Sequence, residues 1–244
     1  MLVYAATQPG VGKAQNEDAI LLGDVFVREP VKIEVPPQGF MAVADGVGGQ
    51  AGGAMASEYI LKELRPYRFW GAGLSAESIH AMLVNANHNL ILTSAQIPHL
   101  AGMATTLTAV YLDHRCNYLI HAGDTRAYVK QGRYLKQLTQ DHTVYNELKR
   151  QGRNGEAMSA GKNVITSCFG GGKPELLHKL EVTPLEIKGM IILTSDGVHD
   201  YVEIDILESI MLKGANPAIM CRAMLDAAVA AGSRDDLSVV MLYV

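Results

Sequence analysis

The order of its apolar segments most limits how this chain can fold: strand-like stretches come in runs and helix-like stretches in pairs, without a regular strand–helix alternation. Residues 2–6, 19–22 and 40–44 are short and apolar. Val31, Ile33 and Val35 alternate beside Pro30, Pro36 and Pro37, as in a hairpin excursion that ends in a loop. Two helical patterns follow. One covers 51–64 and stops at Pro66; the other runs from Ser75, its N-cap, to about Gln96, with Ile79, Leu83, Leu90 and Ile91 as the buried stripe. Segments 105–112, 118–122, 126–130 and 134–138 predict an antiparallel meander. A short helix over 143–151 leads into a polar, glycine-containing, mobile stretch at 152–162, and strand character returns at Val164, Leu176 and Met190. Helices over 204–212 and 217–231 and a strand over 237–244 close the chain. This order predicts two packed antiparallel sheets with helices outside, not a parallel sheet of βαβ units.

The 244 residues are 48% apolar and 19% charged, enough for a sizeable core, and no linker divides them, so one domain over 1–244 is expected. With 21 Lys+Arg against 25 Asp+Glu the net charge is −4, which disfavours a nucleic-acid binder. Apolar runs fall far short of the roughly 20 residues that span a bilayer, so no membrane partner is expected. The N-terminus shows no basic leader. Cys116, Cys168 and Cys221 are odd in number and scattered, which fits reduced thiols in a cytoplasmic protein rather than a disulfide framework or zinc knuckle.

Acids recur beside glycines: Asn16-Glu17-Asp18, Asp45-Gly46-Val47-Gly48-Gly49, Gly123-Asp124-Thr125-Arg126, Ser195-Asp196-Gly197 and Arg234-Asp235-Asp236. Taken singly, each reads as a turn. Two resist that reading, because the apolar runs 40–44 and 190–195 deliver Asp45 and Asp196 at strand ends with no matching return strand after them. Carboxylates gathered at strand ends repel one another unless cations or protons neutralise them. An all-oxygen donor set selects Mg²⁺ or Mn²⁺ over zinc, and two such ions suit in-line displacement at phosphorus.

Lys13-x-x-Asn16-Glu17-Asp18, Val43-Ala-Asp45-Gly46-x-Gly48-Gly49, Gly102-x-x-Thr105-Thr106, Gly123-Asp124-Thr125-Arg126, Ser195-Asp196-Gly197 and Arg234-Asp235-Asp236-Leu-Ser238, in this order, resemble the metal-dependent PP2C-type (PPM) protein phosphatases in their compact bacterial form. The resemblance implies an α+β fold, an αββα sandwich of two antiparallel sheets flanked by helix pairs, with a metal cleft at one end. It implies hydrolysis of phosphoserine and phosphothreonine on proteins with two tightly bound Mn²⁺ or Mg²⁺ ions and a third, weaker one. Asp45 would bridge the pair, Asp196 and Asp235 would hold the first ion, and Glu17 with the Gly46 carbonyl the second. Asp124 would serve the third, sharing Asp196, and Asp18 would orient the metal-bound water. Segment 142–168 corresponds to the variable flap that helps to receive the substrate protein. The implied partners are phosphoproteins and a cognate Ser/Thr kinase, in a signalling or secretion-system locus.

Three positions depart from the family pattern. Lys13 stands where an Arg usually grips the substrate phosphate, keeping the charge without the bidentate fork. Val47 replaces a histidine proposed as general acid in many members, so the leaving oxygen must take its proton from a metal-bound water or another donor, His142 and His199 lying near the site segments. Asp236 replaces an Asn, adding a charge that strengthens metal affinity or faces solvent. A phosphoprotein-binding pseudophosphatase is the alternative reading.

Overall fold

The computed structural model describes residues 2–28, 31–34, 38–47, 51–65, 73–186, 188–213 and 216–244. Pro30, Val35, Pro36 and Pro37 of the expected loop, Gly48 and Gly49 of the glycine-rich passage and the helix-ending Pro66 lie outside the described residues.

Two six-stranded antiparallel sheets form the centre. The first runs in the order β11 (Tyr134–Gln137), β10 (Arg126–Gln131), β14 (Met190–Thr194), β15 (Leu237–Tyr243), β1 (Leu2–Gln8) and β4 (Val31–Glu34). The second runs β13 (Glu181–Pro184), β9 (Tyr118–Ala122), β8 (Leu107–Leu112), β5 (Gly39–Ala44), β2 (Ala19–Leu22) and β3 (Val25–Val27). A small third sheet, β12 (Phe169–Gly170), β7 (Ala104–Thr105) and β6 (Gly46–Val47), continues from the end of β5. Helices α1 (Ala51–Leu64) and α2 (Ala76–Gln96) cover the second sheet. Helices α6 (Ile204–Lys213) and α7 (Pro217–Ala230) cover the first, and α3 (Val144–Arg150), α4 (Asn154–Ser159) and the one-turn α5 (Asp196–His199) lie between strands in sequence.

Period-two alternation along the strands sorts side chains into three apolar layers. Val3, Ala5, Ile20, Leu22, Met41, Val43, Ile191, Leu193, Val240 and Leu242 meet between the sheets. The residues that alternate with them point outward: Leu21, Phe40 and Ala42 pack on Ile60, Leu61, Leu83 and Leu90 of α1 and α2. Tyr4, Ile192, Val239 and Met241 pack on Leu207, Met211, Met224 and Leu225 of α6 and α7. Because both faces of each sheet are covered, the central strands read as continuous apolar runs. Each buried Val, Leu, Ile or Met contributes about 1.5–3 kcal/mol of transfer free energy. The result is the expected αββα sandwich. No described helix is long and apolar enough to cross a membrane.

Most helix boundaries match the sequence pattern; Ser75 caps α2 by accepting the Ser78 N–H, and Thr143 caps α3. Several expectations are corrected. Segment 105–112 is two strands, because Thr106 leaves the ladder to donate its N–H to the Asp45 carbonyl at 2.9 Å. The expected meander is split between sheets: β8 and β9 pair in the second, whereas β10 and β11 pair in the first. Val164 and Leu176 do not start strands. Their neighbourhood holds an isolated Thr143–Ile165 bridge and a short 3₁₀ turn, Pro174–Leu177, while the strands of this region are β12 and β13. The stretch expected to be mobile at 152–162 contains α4.

The crossing between sheets passes through Gly123, whose φ of 115° is poorly accessible to other residues and whose Cα faces Thr106 so closely that an added Cβ would lie 2.5 Å from its side chain. Gly123→Ala is therefore expected to cost about 2 kcal/mol or more, read as a lower urea midpoint with an unchanged m-value. An unaltered midpoint would show that the turn tolerates a side chain.

Candidate metal centre and active site

β5 ends at Asp45, whose backbone is clamped from two sides. Its N–H donates to Thr106 Oγ1 at 3.1 Å, and its carbonyl accepts from Thr105 Oγ1 at 2.8 Å and from the Thr106 N–H. The next residue, Gly46, is pressed against α1: a Cβ on it would lie 2.3 Å from the Gly53 carbonyl group and 2.7 Å from the Glu17 carbonyl oxygen. Conversely, the point that a Cβ on Gly53 would occupy is 2.7 Å from both Glu17 Oε1 and the Gly46 carbonyl oxygen. Glycine at both positions lets these two oxygens converge. Ser57 of α1 donates its hydroxyl to the Glu17 carbonyl at 2.6 Å, fixing the approach.

Asp196 begins α5 directly after β14, and its carboxyl is within hydrogen-bond reach of Asp45. Asp18 is buried behind them, 5% exposed; the Ser195 hydroxyl donates to its Oδ2 at 2.7 Å, and Ser195 in turn accepts the Ser238 N–H at 3.0 Å. Asp124 follows the Gly123 turn and is buried too. The charges of Asp18, Asp124 and Asp196 all bear on Asp45, and that of Asp235 bears on Asp196. The structure thus gathers Glu17, Asp18, Asp45, Gly46, Asp124, Asp196 and Asp235 at one end of the sandwich. The Val47 side chain is about one-third exposed on β6.

Lys13 sits among these acids. Its Nζ lies 2.5 Å from Asp235 Oδ1, 3.1 Å from Asp236 Oδ2 and 4.0 Å from Glu17 Oε2. Burial opposes its charge, but the hydrogen bonds to Asp235 and Asp236 outweigh burial and hold the ammonium above its usual range. Asp236 does not face solvent. It is 2% exposed and accepts the Gly10 N–H on Oδ1 and the Glu17 N–H on Oδ2, both at 2.8 Å, so it ties the 10–17 loop to the start of β15. An amide at this position could accept through only one atom.

Three further features go beyond what the sequence reading gave these residues. Arg126 forms a fork with Asp141, at 2.9 and 2.5 Å, and lies 3.9 Å from Asp200. His142 accepts the Gly123 N–H on Nδ1 at 3.2 Å, and its backbone N–H donates to the Gly123 carbonyl, so the root of the 142–168 segment supports the Asp124 turn. Thr105 and Thr106 clamp Asp45. Adjacent threonines at a strand break are the only trace of that clamp in the sequence. Burial keeps His142 neutral, its pKa lowered to about 3, and holds His199 well below the usual range.

Withdrawal from water is the first cause raising the Glu17, Asp18, Asp45, Asp124 and Asp196 carboxyls, with neighbouring acids adding to it; Asp18 is pushed up to about 8 and Asp196 to about 6. Of the seven buried side-chain atoms without a hydrogen-bond partner among the described residues, four are Glu17 Oε1, Asp18 Oδ1, Asp124 Oδ1 and Asp196 Oδ1. Among the described residues no three acid, imidazole or thiol side chains close on a single point. Lys13 engages Asp235, and Asp45 leans on Asp196 instead. The donor set is nonetheless all oxygen, partly unpartnered and convergent at Glu17 and Gly46, which fits hard divalent cations.

Residues 7–162 match the family model for protein phosphatase 2C. The serine/threonine phosphatase stp of Listeria monocytogenes serotype 4b (strain F2365) is 30% identical over 214 residues, covering 84% of each chain. The crystal structure of the Mycobacterium tuberculosis serine/threonine phosphatase PstP/Ppp superposes with a TM-score of 0.81 at 26% identity, covering 99% of this chain and 98% of that one. The catalytic domain of PstP in complex with two manganese ions gives 0.76 at 25% identity, covering 99% and 98%. Fold, motif order and these likenesses agree: the chain belongs to the protein phosphatase 2C family.

Proposed function

We propose that this chain hydrolyses phosphoserine and phosphothreonine on proteins with Mn²⁺ or Mg²⁺ held by Glu17, Asp45, the Gly46 carbonyl, Asp196 and Asp235, and a third, weaker ion at Asp124. The observation that carries the reading is the set of buried, unpartnered carboxyl oxygens at one end of the sandwich, in a family whose curated relatives are serine/threonine phosphatases. The manganese pair bound by PstP supports the choice of cation. When bound, two hard cations supply Lewis acidity toward the phosphoryl oxygens and an acidified water as nucleophile. Asp45 stands between the Asp196 side and the Glu17–Gly46 side and would be the shared ligand. Asp18 has Oδ2 held by Ser195 and Oδ1 unpartnered, so it can accept a proton of the attacking water and aim it. Lys13, one-third exposed at the rim, turns from Asp235 to hold the substrate phosphate. Segment 142–168 is the flap beside the cleft of a single domain. Free Cys116, Cys168 and Cys221 support a reducing, cytoplasmic setting, and a Ser/Thr kinase of a signalling or secretion-system locus is the opposing partner.

Excess chelator should abolish hydrolysis of p-nitrophenyl phosphate, and Mn²⁺ should restore it. A reading independent of activity follows from the raised carboxyls. Since their folded pKa values exceed the unfolded ones, their stabilising protonation is lost as pH rises through the folded values, so the Tm of the metal-free protein should fall from about pH 5 to about pH 8. Mn²⁺ should raise the Tm most at the upper end, because ligands bind deprotonated. Undiminished turnover in chelator, with negligible metal content, would sink the metal mechanism.

Asp45→Asn should be the most damaging single change, since an amide cannot present two charged oxygens to two ions; wild-type turnover would refute the bridging role. Lys13→Ala should lower kcat/KM on a phosphothreonine peptide by about 10- to 100-fold, the loss of roughly 1.5–3 kcal/mol in a charged hydrogen bond, with Lys13→Arg tolerated. If Lys13→Ala stays within twofold of wild type, its ammonium serves only to anchor Asp235 and Asp236.

A further inference from the structure

A cavity of about 660 Å³ opens next to Asp124, walled by β10, β11, α3 and the start of α6. It also borders α5, the turn that begins with Asp196, so it is continuous with the metal centre without containing most of the carboxylates assigned to it. We infer that this cavity is a specificity subsite that receives a lysine or arginine side chain of the phosphoprotein, close to the phosphorylated residue. The inference rests on the phosphatase reading above.

Charge decides the sign of the guest. Arg126, in the wall, is spent: Asp141 takes its fork and Asp200 lies 3.9 Å from it, which leaves little to hold an anion. The charged lining comprises Asp141, Asp200 and Glu203 against Arg126 and Lys162, with Asp124 the acid assigned to the weaker third ion. Lys162 bears on Asp200, whereas Glu203 forms no ion pair among the described residues and is exposed at the mouth. A cation entering there meets uncompensated negative charge.

Shape and polarity decide its length. Val202 and Leu207 are buried in the wall and Ile204 stands half-exposed at the rim, a surface that suits an aliphatic stem with a charged head. His199 Nε2 and Asp124 Oδ1 are buried, lack partners and belong to the lining, and the carboxyl oxygen is an acceptor for a guest that carries donors. His199 Nδ1 is already engaged by the Thr194 hydroxyl at 2.7 Å, which fixes the ring. The volume lies within the roughly 300–1,000 Å³ of ordinary ligand sites.

The test is a set of phosphothreonine peptides with alanine flanks, in which one position at a time from four before to four after the phosphoresidue is replaced by Arg or by Glu. Mn²⁺-loaded protein should show kcat/KM about fivefold higher for Arg than for Ala at one position, and lower for Glu, the effect of a partly exposed charge pair worth about 1 kcal/mol. The Arg-to-Ala ratio, measured within each variant, should fall to within twofold in the double variant Asp200→Asn, Glu203→Gln. Glu203→Lys should shift the preference toward the Glu peptide. Equal rates on all wild-type peptides, or a ratio unchanged in the variants, would overturn the subsite while hydrolysis of p-nitrophenyl phosphate keeps the phosphatase reading intact. Absence of p-nitrophenyl phosphate hydrolysis by the Mn²⁺-loaded protein would overturn both.

Discussion

Withdrawing several carboxylates from water at one end of the molecule is the constraint on which the rest of this structure depends. Asp18, Asp45, Asp124 and Asp196 repel one another in a poorly solvated site, and burial together with the neighbouring acids raises the pKa of each. The arrangement holds because the backbone beneath each acid is fixed by something other than the acid itself. Thr105 and Thr106 clamp Asp45, the Asn16 side chain accepts the Asp18 N–H at 3.0 Å, and the Gly123 turn, supported by His142, carries Asp124. Three apolar layers resist the relaxation that would let the charges separate.

Lys13 pairs with Asp236 from the other end of the chain, 3.1 Å away. A carboxylate at 236 can accept two backbone N–H groups and an ammonium at once, and it does so with almost no exposure. The 10–17 loop that carries Glu17 is thereby tied to β15, the strand that follows Asp235. Glu17 and Asp235 come from opposite ends of the chain, and the Lys13–Asp236 contact is one of the bonds that keep them together. Asp236 is a structural anchor rather than a solvated charge.

Chemistry and recognition meet on α5. This single turn presents Asp196 at its first position to the carboxylate cluster, then His199 and the following Asp200 to the neighbouring cavity. Asp141 and Thr143, at the root of the 142–168 segment, line the same cavity. A guest seated against Asp200 would therefore lie on the element that holds a proposed metal ligand.

The sandwich was legible in the sequence because period-two alternation and apolar runs are local properties: 2–6, 19–22, 40–44 and 118–122 state which residues must be buried, and Ser75 states where a helix begins. The grouping of strands and helices limited the layers. Motif order suggested which acids belong together, since Asp45 and Asp196 end apolar strands whose direction is already set. What sequence alone did not decide was pairing. The split of 105–112, the transfer of the chain from one sheet to the other at Gly123, and the small sheet of β6, β7 and β12 depend on hydrogen bonds between segments far apart in the chain. The same holds for Asp236, whose sequence context is a turn and whose partners, Gly10 and Glu17, are more than 200 residues away. Side-chain type and local period fix what must be buried; only the closed tertiary structure decides which distant N–H, ammonium or carboxylate each buried group meets, because that choice depends on the packing of the whole chain.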